Sequence, residues 1–250
     1  MLVLGINTAT LACSVALATP RQLLVEYTQQ IKKTHSEKLL PMVEAALRAA
    51  GLSPEALDGV AVAAGPGSFT GVRIGVTTAR ALGQALDLPL AAVSTLDALY
   101  WQAPSFTGLV SPVLDARRQQ VYNAVFRRTG QETVKLAEER AISLADLLAE
   151  MQLYSEPVLF LGDAVQIHRE AIVKELKCRA CFLPPTASHS GAASVAWLGL
   201  SALAAGQGVS YRELLPLYVR GSAAETGYRA GREGGVSAGA DYCANENRAC

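Results

Sequence analysis

The chain has 250 residues, half of them hydrophobic and only 18% charged, which is enough apolar material for a substantial core and one or two domains. A formal net charge of zero and a pI near 6.8 exclude the basic footprint of an autonomous nucleic-acid binder, so any contact with RNA has to be shared with a partner. No apolar run approaches the roughly 20 residues that span a bilayer, and five irregularly spaced cysteines exclude a disulfide framework.

Residues 1–18 are apolar and end in Ala16-Leu17-Ala18, which mimics a signal-peptidase site. The stretch lacks a positive n-region, however, and Asn7, Thr8 and Thr10 interrupt it. Strands over 2–7, 13–19 and 22–30 fit better, as an antiparallel meander feeding a mixed sheet in a cytoplasmic protein. Thr34 and Glu37 make a T-x-x-E capping box that opens an amphipathic helix. Leu39, Leu40, Val43 and Leu47 are expected on its buried side, Pro41 falls in its early turns, and Gly51 closes it.

The most informative segment is Gly65-Pro66-Gly67-Ser68-Phe69-Thr70-Gly71-Val72-Arg73-Ile74-Gly75. A short apolar strand over 60–64 precedes it and an apolar helix runs from 70 to 86, so it reads as strand, glycine turn, helix. Gly65 and Gly67 permit positive φ and close approach of backbone, and Ser68 or Thr70 can cap a helix start that favours a phosphate or carboxylate. Within the helix, Gly71, Gly75, Ala79 and Gly83 recur at every fourth position and share one face. Each interior glycine costs roughly 1 kcal/mol against alanine, so the strip implies a compensating close contact, either with the chain's own sheet or with another chain.

A strand over 89–93, a helix over 95–101 and a connection over 103–108 follow. The pattern then restarts, with strands over 109–114, 120–127 and 132–136, a helix over 143–152, a strand over 157–161 and a helix over 163–176. A long apolar helix covers 191–205. Three strands followed by alternating helix and strand, used twice, is the layout of a duplicated α/β domain. Residues 223–250 contain no Leu, Ile, Phe or Trp and are expected to be a disordered tail. Cys178 and Cys181 form an isolated C-x-x-C, which reads as free structural thiols rather than a zinc site because Cys243 and Cys250 are too widely spaced to complete it.

Two halves each led by a strand trio, with Gly5-Ile6-Asn7-Thr8-Ala9-Thr10 in the first hairpin, resemble the fold shared by sugar kinases, actin and heat-shock chaperones (the ASKHA fold). Within that superfamily the sequence resembles the TsaB (YeaZ) family. The resemblance rests on the 65–75 segment, on His35-Ser36-Glu37 with Leu39-Leu40-Pro41, on Asp115-Ala116-Arg117 with Val121-Tyr122, and on Pro216-x-Tyr218-Val219-Arg220. It implies a duplicated actin-like, sugar-kinase-like α/β fold of two mixed-sheet domains, 1–105 and 106–222, ahead of the 223–250 tail.

The resemblance also implies a non-catalytic subunit that activates TsaD, together with TsaE, for threonylcarbamoyl transfer to adenosine 37 of tRNA. The chain would pair with TsaD or with itself through its first helices, touch tRNA only through the complex, and meet no membrane. The residues expected at that contact are Leu39, Val43, Gly71, Val72, Gly75, Val76, Ala79, Leu82 and Gly83. In the superfamily the first hairpin wraps nucleotide phosphates and usually carries an aspartate that organises magnesium. Asn7 stands at that place here, so Asn7, Thr8, Thr10, Gly65, Gly67, Ser68 and Thr70 are expected to be vestigial phosphate loops, with no cofactor beyond weak ATP or ADP binding within the complex.

The residues offer little chemistry of their own. His35 is followed four positions later by Leu39, so no histidine pair faces a metal, and His168 and His189 lie on other elements. Ser68 is not in a G-x-S-x-G elbow. Asp115 and Arg117 read as an ion pair or hairpin contact. The alternative is an ATP-dependent kinase or ATPase acting alone, with Thr8, Thr10 and the turn from Gly65 to Ser68 as its phosphate loops.

Overall fold

The computed structural model describes residues 1–30, 35–103, 105–129, 132–184 and 191–219; the capping residue Thr34, His189 and the expected tail lie outside them. In order the chain forms β1 (Val3–Asn7), β2 (Cys13–Ala18), β3 (Leu23–Gln29), α1 (His35–Ala49), β4 (Gly59–Gly65), α2 (Phe69–Leu86), β5 (Leu90–Ser94) and α3 (Thr95–Tyr100). It continues with β6 (Gly108–Asp115), β7 (Gln120–Thr129), β8 (Glu132–Ser143), α4 (Leu144–Gln152), β9 (Val158–Leu161), α5 (Ala164–Leu176), β10 (Ala180–Phe182) and α6 (Ala192–Ala204).

The strands make two five-stranded sheets, ordered β3-β2-β1-β4-β5 and β10-β9-β6-β7-β8. Counted within its own half, each sheet runs third, second, first, fourth, fifth. The first three strands pair antiparallel, and the last two run parallel to the first. This is the expected duplicated α/β fold. Its sequence logic is visible in β1 and β4, which are apolar apart from Asn7 and buried at every position because helices cover both faces of the first sheet. The edge strand β3 is largely exposed.

Helices α1 and α2 pack on the face of the first sheet that carries Ile6 and Val62, and α6 packs on the opposite face, where Gly5 and Ala61 point. A Cβ on Gly5 would lie 2.5 Å from the Ala192 carbonyl oxygen, and one on Gly199 would collide with Ala61. The last helix was expected in the second half. Instead Ala192, Val195, Ala196 and Leu200 join the first core, so the boundary between halves is not a simple cut near residue 105. The exchange is mutual. Helix α3 buries Leu96, Leu99 and Tyr100 against Val110, Leu114 and Phe126 of the second sheet, with Tyr100 stacked on Phe126 at 4.3 Å between centroids.

After α6 the chain runs as a strap along the edge of the first sheet. Val209 and Leu90 exchange backbone hydrogen bonds of 2.8 and 2.9 Å, and the Leu217 N–H donates to the Ala64 carbonyl at 2.7 Å. Residues Met1–Val219 form one compact unit. Within the described residues no helix is long and apolar enough to cross a membrane, and Cys13, Cys178 and Cys181 are free thiols.

Candidate functional site

The β1–β2 turn and the β4–α2 turn, expected as phosphate loops, close on each other. The Ser68 N–H, which would face an anion at the start of α2, donates instead to the Ala9 carbonyl at 2.7 Å. The Thr8 hydroxyl donates to the Gly71 carbonyl at 2.7 Å, and the Ser68 hydroxyl caps the helix by accepting from the Gly71 N–H at 3.3 Å. Asn7 is fully buried and its Oδ1 accepts from the Ala9 N–H at 3.0 Å, so its amide shapes the hairpin turn. Thr10 is buried beside it, and His35 at the start of α1 donates through Nε2 to the Thr10 carbonyl at 3.1 Å. Gly65, with φ at 124°, passes beneath Leu217 of the strap, Gly67 lies against the Ala9 carbonyl, and only Ser68 and Thr70 of the set are exposed. The expectation of open phosphate loops is therefore corrected: Thr8 and Ser68, which would hold phosphate, are tied across the two turns, while the buried Thr10 hydroxyl has no partner among the described residues.

The small-residue strip also turns inward. A Cβ on Gly71 would collide with the Thr8 carbonyl oxygen, one on Gly75 would lie 2.5 Å from the Thr8 hydroxyl, and one on Gly83 would lie 2.8 Å from Leu90. Val72, Val76 and Ala79 are buried on the same face. The contact that compensates these glycines is the chain's own sheet, so Gly71, Val72, Gly75, Val76, Ala79 and Gly83 are corrected from partner-facing to core. Leu39 is likewise core. Leu40, expected to be buried, is 55% exposed, because adjacent leucines on a helix cannot both face one core.

What α1 and α2 do present is a groove of about 620 Å³ between them. Leu40, Pro41, Val43, Leu47, Leu52, Leu57 and Leu82 line it, with the exposed Glu44–Arg48 ion pair beside them. Of the nine residues expected at a partner contact, Val43 and Leu82 reach this groove. The outward ridge of α2 carries Thr70, Thr77 and Ala81, all exposed and small. On its far flank, Phe69 and Arg73 meet Tyr218 of the strap. Sequence reasoning missed this cluster, since Arg73 and Tyr218 lie 145 positions apart.

The corresponding turns of the second half keep two carboxylates. Asp163 Oδ1 accepts from the Asp115 N–H at 3.1 Å, and Asp115 accepts from the Arg117 N–H at 2.8 Å while pairing with its guanidinium at 3.3 Å. Burial pushes the Asp163 carboxyl above the usual carboxylate range; the nearby Asp115 charge adds to this, while the N–H groups of Asp115 and Ala164 offset part of it. Arg117 is largely exposed, so its pair contributes little to stability, as expected.

A family model described as TsaD, tRNA N6-adenosine threonylcarbamoyltransferase, matches residues 23–228. The tRNA threonylcarbamoyladenosine biosynthesis protein TsaB of Bacillus subtilis is 36% identical over 226 residues, which covers 90% of this chain and 96% of that protein. The TsaB protein of Escherichia coli is 37% identical over 131 residues, 51% of this chain and 56% of its own. The solved structure of YeaZ from Pseudomonas aeruginosa superposes with a TM-score of 0.70 at 28% identity, covering 87% of this chain and 99% of that one.

Proposed function

The chain belongs to the TsaB family of tRNA threonylcarbamoyladenosine biosynthesis proteins, and from that premise we propose that it is a non-catalytic docking subunit. It binds and activates TsaD, with TsaE, for transfer of the threonylcarbamoyl group to adenosine 37 of tRNA. The observation that carries this reading is the open apolar groove between α1 and α2. The exposed Leu40 and the half-buried Leu52 and Leu82, beside small exposed residues of α2, are what a partner helix needs for close packing, and a charged pair at the rim leaves the centre apolar. A second copy of this chain competes for the same face. Contact with tRNA comes only through the complex, as the zero net charge favours.

The closed turns weigh against the alternative of an independent ATPase, because a triphosphate would have to break the Ser68–Ala9 and Thr8–Gly71 bonds to enter. Leu40→Glu tests the docking reading. The side chain is exposed, so folding stability should stay within about 0.5 kcal/mol of wild type. Affinity for TsaD should fall by roughly thirtyfold or more, as for a truncated interface anchor, and reconstituted tRNA modification should fall with it. A folded Leu40→Glu protein that binds and activates TsaD as the wild type does would remove the proposal, as would steady ATP turnover by the isolated chain.

A further inference from the structure

The groove uses one flank of α2, and the other flank is equally prepared for contact. Phe69 and Arg73, one helical turn apart, form a clasp with Tyr218. The Phe69 and Tyr218 rings stack at 5.5 Å between centroids, the Arg73 guanidinium lies 3.9 Å from the Phe69 centroid, and Arg73 Nε donates to the Tyr218 hydroxyl at 2.9 Å. Ordinary packing would bury such a cluster, yet Phe69 stays 41% and Tyr218 47% exposed, with Leu215 and Leu217 exposed beside them. Arg73 has no ion-pair partner among the described residues. Aromatic and arginine side chains held in place but left wet are the kind that become interface anchors when a partner dries them.

We propose that the Phe69–Arg73–Tyr218 clasp is a second contact centre of the docking face, covered by the same protein partner that fills the groove. This rests on the docking reading above. Continuity argues for one occupant: the groove takes Leu82 and the clasp takes Phe69 and Arg73 of the same helix, about 13 Å apart along its axis, and the exposed Thr77 and Ala81 between them are small enough for a partner to lie over. A single-stranded nucleic acid also takes stacked aromatics with an arginine, but it needs a positive field along its backbone, and the chain has zero net charge.

The experiment measures TsaD affinity calorimetrically for the full chain and for Phe69→Ala, Arg73→Gln and Leu40→Glu, with thermal midpoints for each. Phe69→Ala and Arg73→Gln are each expected to weaken binding about tenfold at an unchanged midpoint. If Phe69→Ala unfolds, the exposed Arg73→Gln decides alone. Loss of binding in Leu40→Glu with Arg73→Gln within twofold of wild type overturns the clasp and leaves the docking reading intact. No effect of Leu40→Glu, or no binding by the wild type, overturns both. Variants that keep TsaD but lose crosslinking to a single-stranded RNA oligonucleotide assign the clasp to nucleic acid and overturn the proposal.

Discussion

Thr8 is the residue on which the first half turns. Its hydroxyl and carbonyl both lie over α2, filling the space that Gly71 and Gly75 leave by having no Cβ. Gly71→Ala is therefore expected to destabilise the protein by about 1–3 kcal/mol, as for an overpacked core, in a denaturant titration. Wild-type stability would mean that the hairpin can lift away and that the loops are not locked. The four-residue spacing of the strip was legible in the sequence, but its direction was not, because a run of small residues suits a sheet and a partner helix equally. Asp163 carries a second residue-scale prediction. Its carboxyl is raised in the folded chain, so its contribution to stability is full below the ordinary carboxylate range and is lost as pH rises through the raised value. The stability of Asp163→Asn minus that of wild type should grow as pH rises from the ordinary carboxylate range through the raised value. A flat difference across that range would show that burial does not govern this carboxyl.

Helix α6 shows how an element can be capped from elsewhere. It starts at Gly191, which has no side chain to offer, and the caps come from the first sheet: the Ala192 N–H donates to the Ser14 hydroxyl at 2.9 Å and the Ala193 N–H to Glu26 Oε1 at 2.9 Å. A carboxylate at a helix N-terminus is favoured by the dipole as well as by the bond. Ser14→Ala should lower stability by about 0.5–2 kcal/mol, the range of a lost N-cap, although Ser14 lies 178 positions away. No change in the denaturation midpoint would mean that water takes over the bond. Element positions were mostly legible, since apolar periodicity fixes a helix such as α2 to within a residue or two. The three-residue β10 was not legible, because so short a strand has no period to read and exists by pairing with β9. Nor was the clasp, which needs the strap to return to α2.

At the scale of the molecule, the two sheets share a topology but trade their last helices: α3 leaves the first half to cover the second sheet, and α6 returns to the first. An ionic cluster ties the exchange down, with Lys135 of β8 bonded to Asp97 of α3 at 2.9 Å and to Glu139 at 3.0 Å. The duplication was legible from repeated strand trios, and the trade was not, because an apolar helix does not say which of two apolar sheets it will cover. Trp101 caps α3 and Trp197 sits on α6, so each reports on a traded helix. Single-tryptophan variants, Trp101→Phe and Trp197→Phe, should give coincident denaturation midpoints, as for one cooperative unit. Two separated midpoints would show that the halves melt independently.

That trade also bears on how such a chain could have arisen and how it can be re-engineered. Two copies joined end to end, each keeping its own closing helix, could later be separated by a cut in the linker. Once each copy wears the other's lid, severing the linker leaves two fragments that must find each other to be whole. Fragments 1–105 and 106–219 expressed separately therefore belong together as a complementation pair, each bringing the piece that its neighbour lacks.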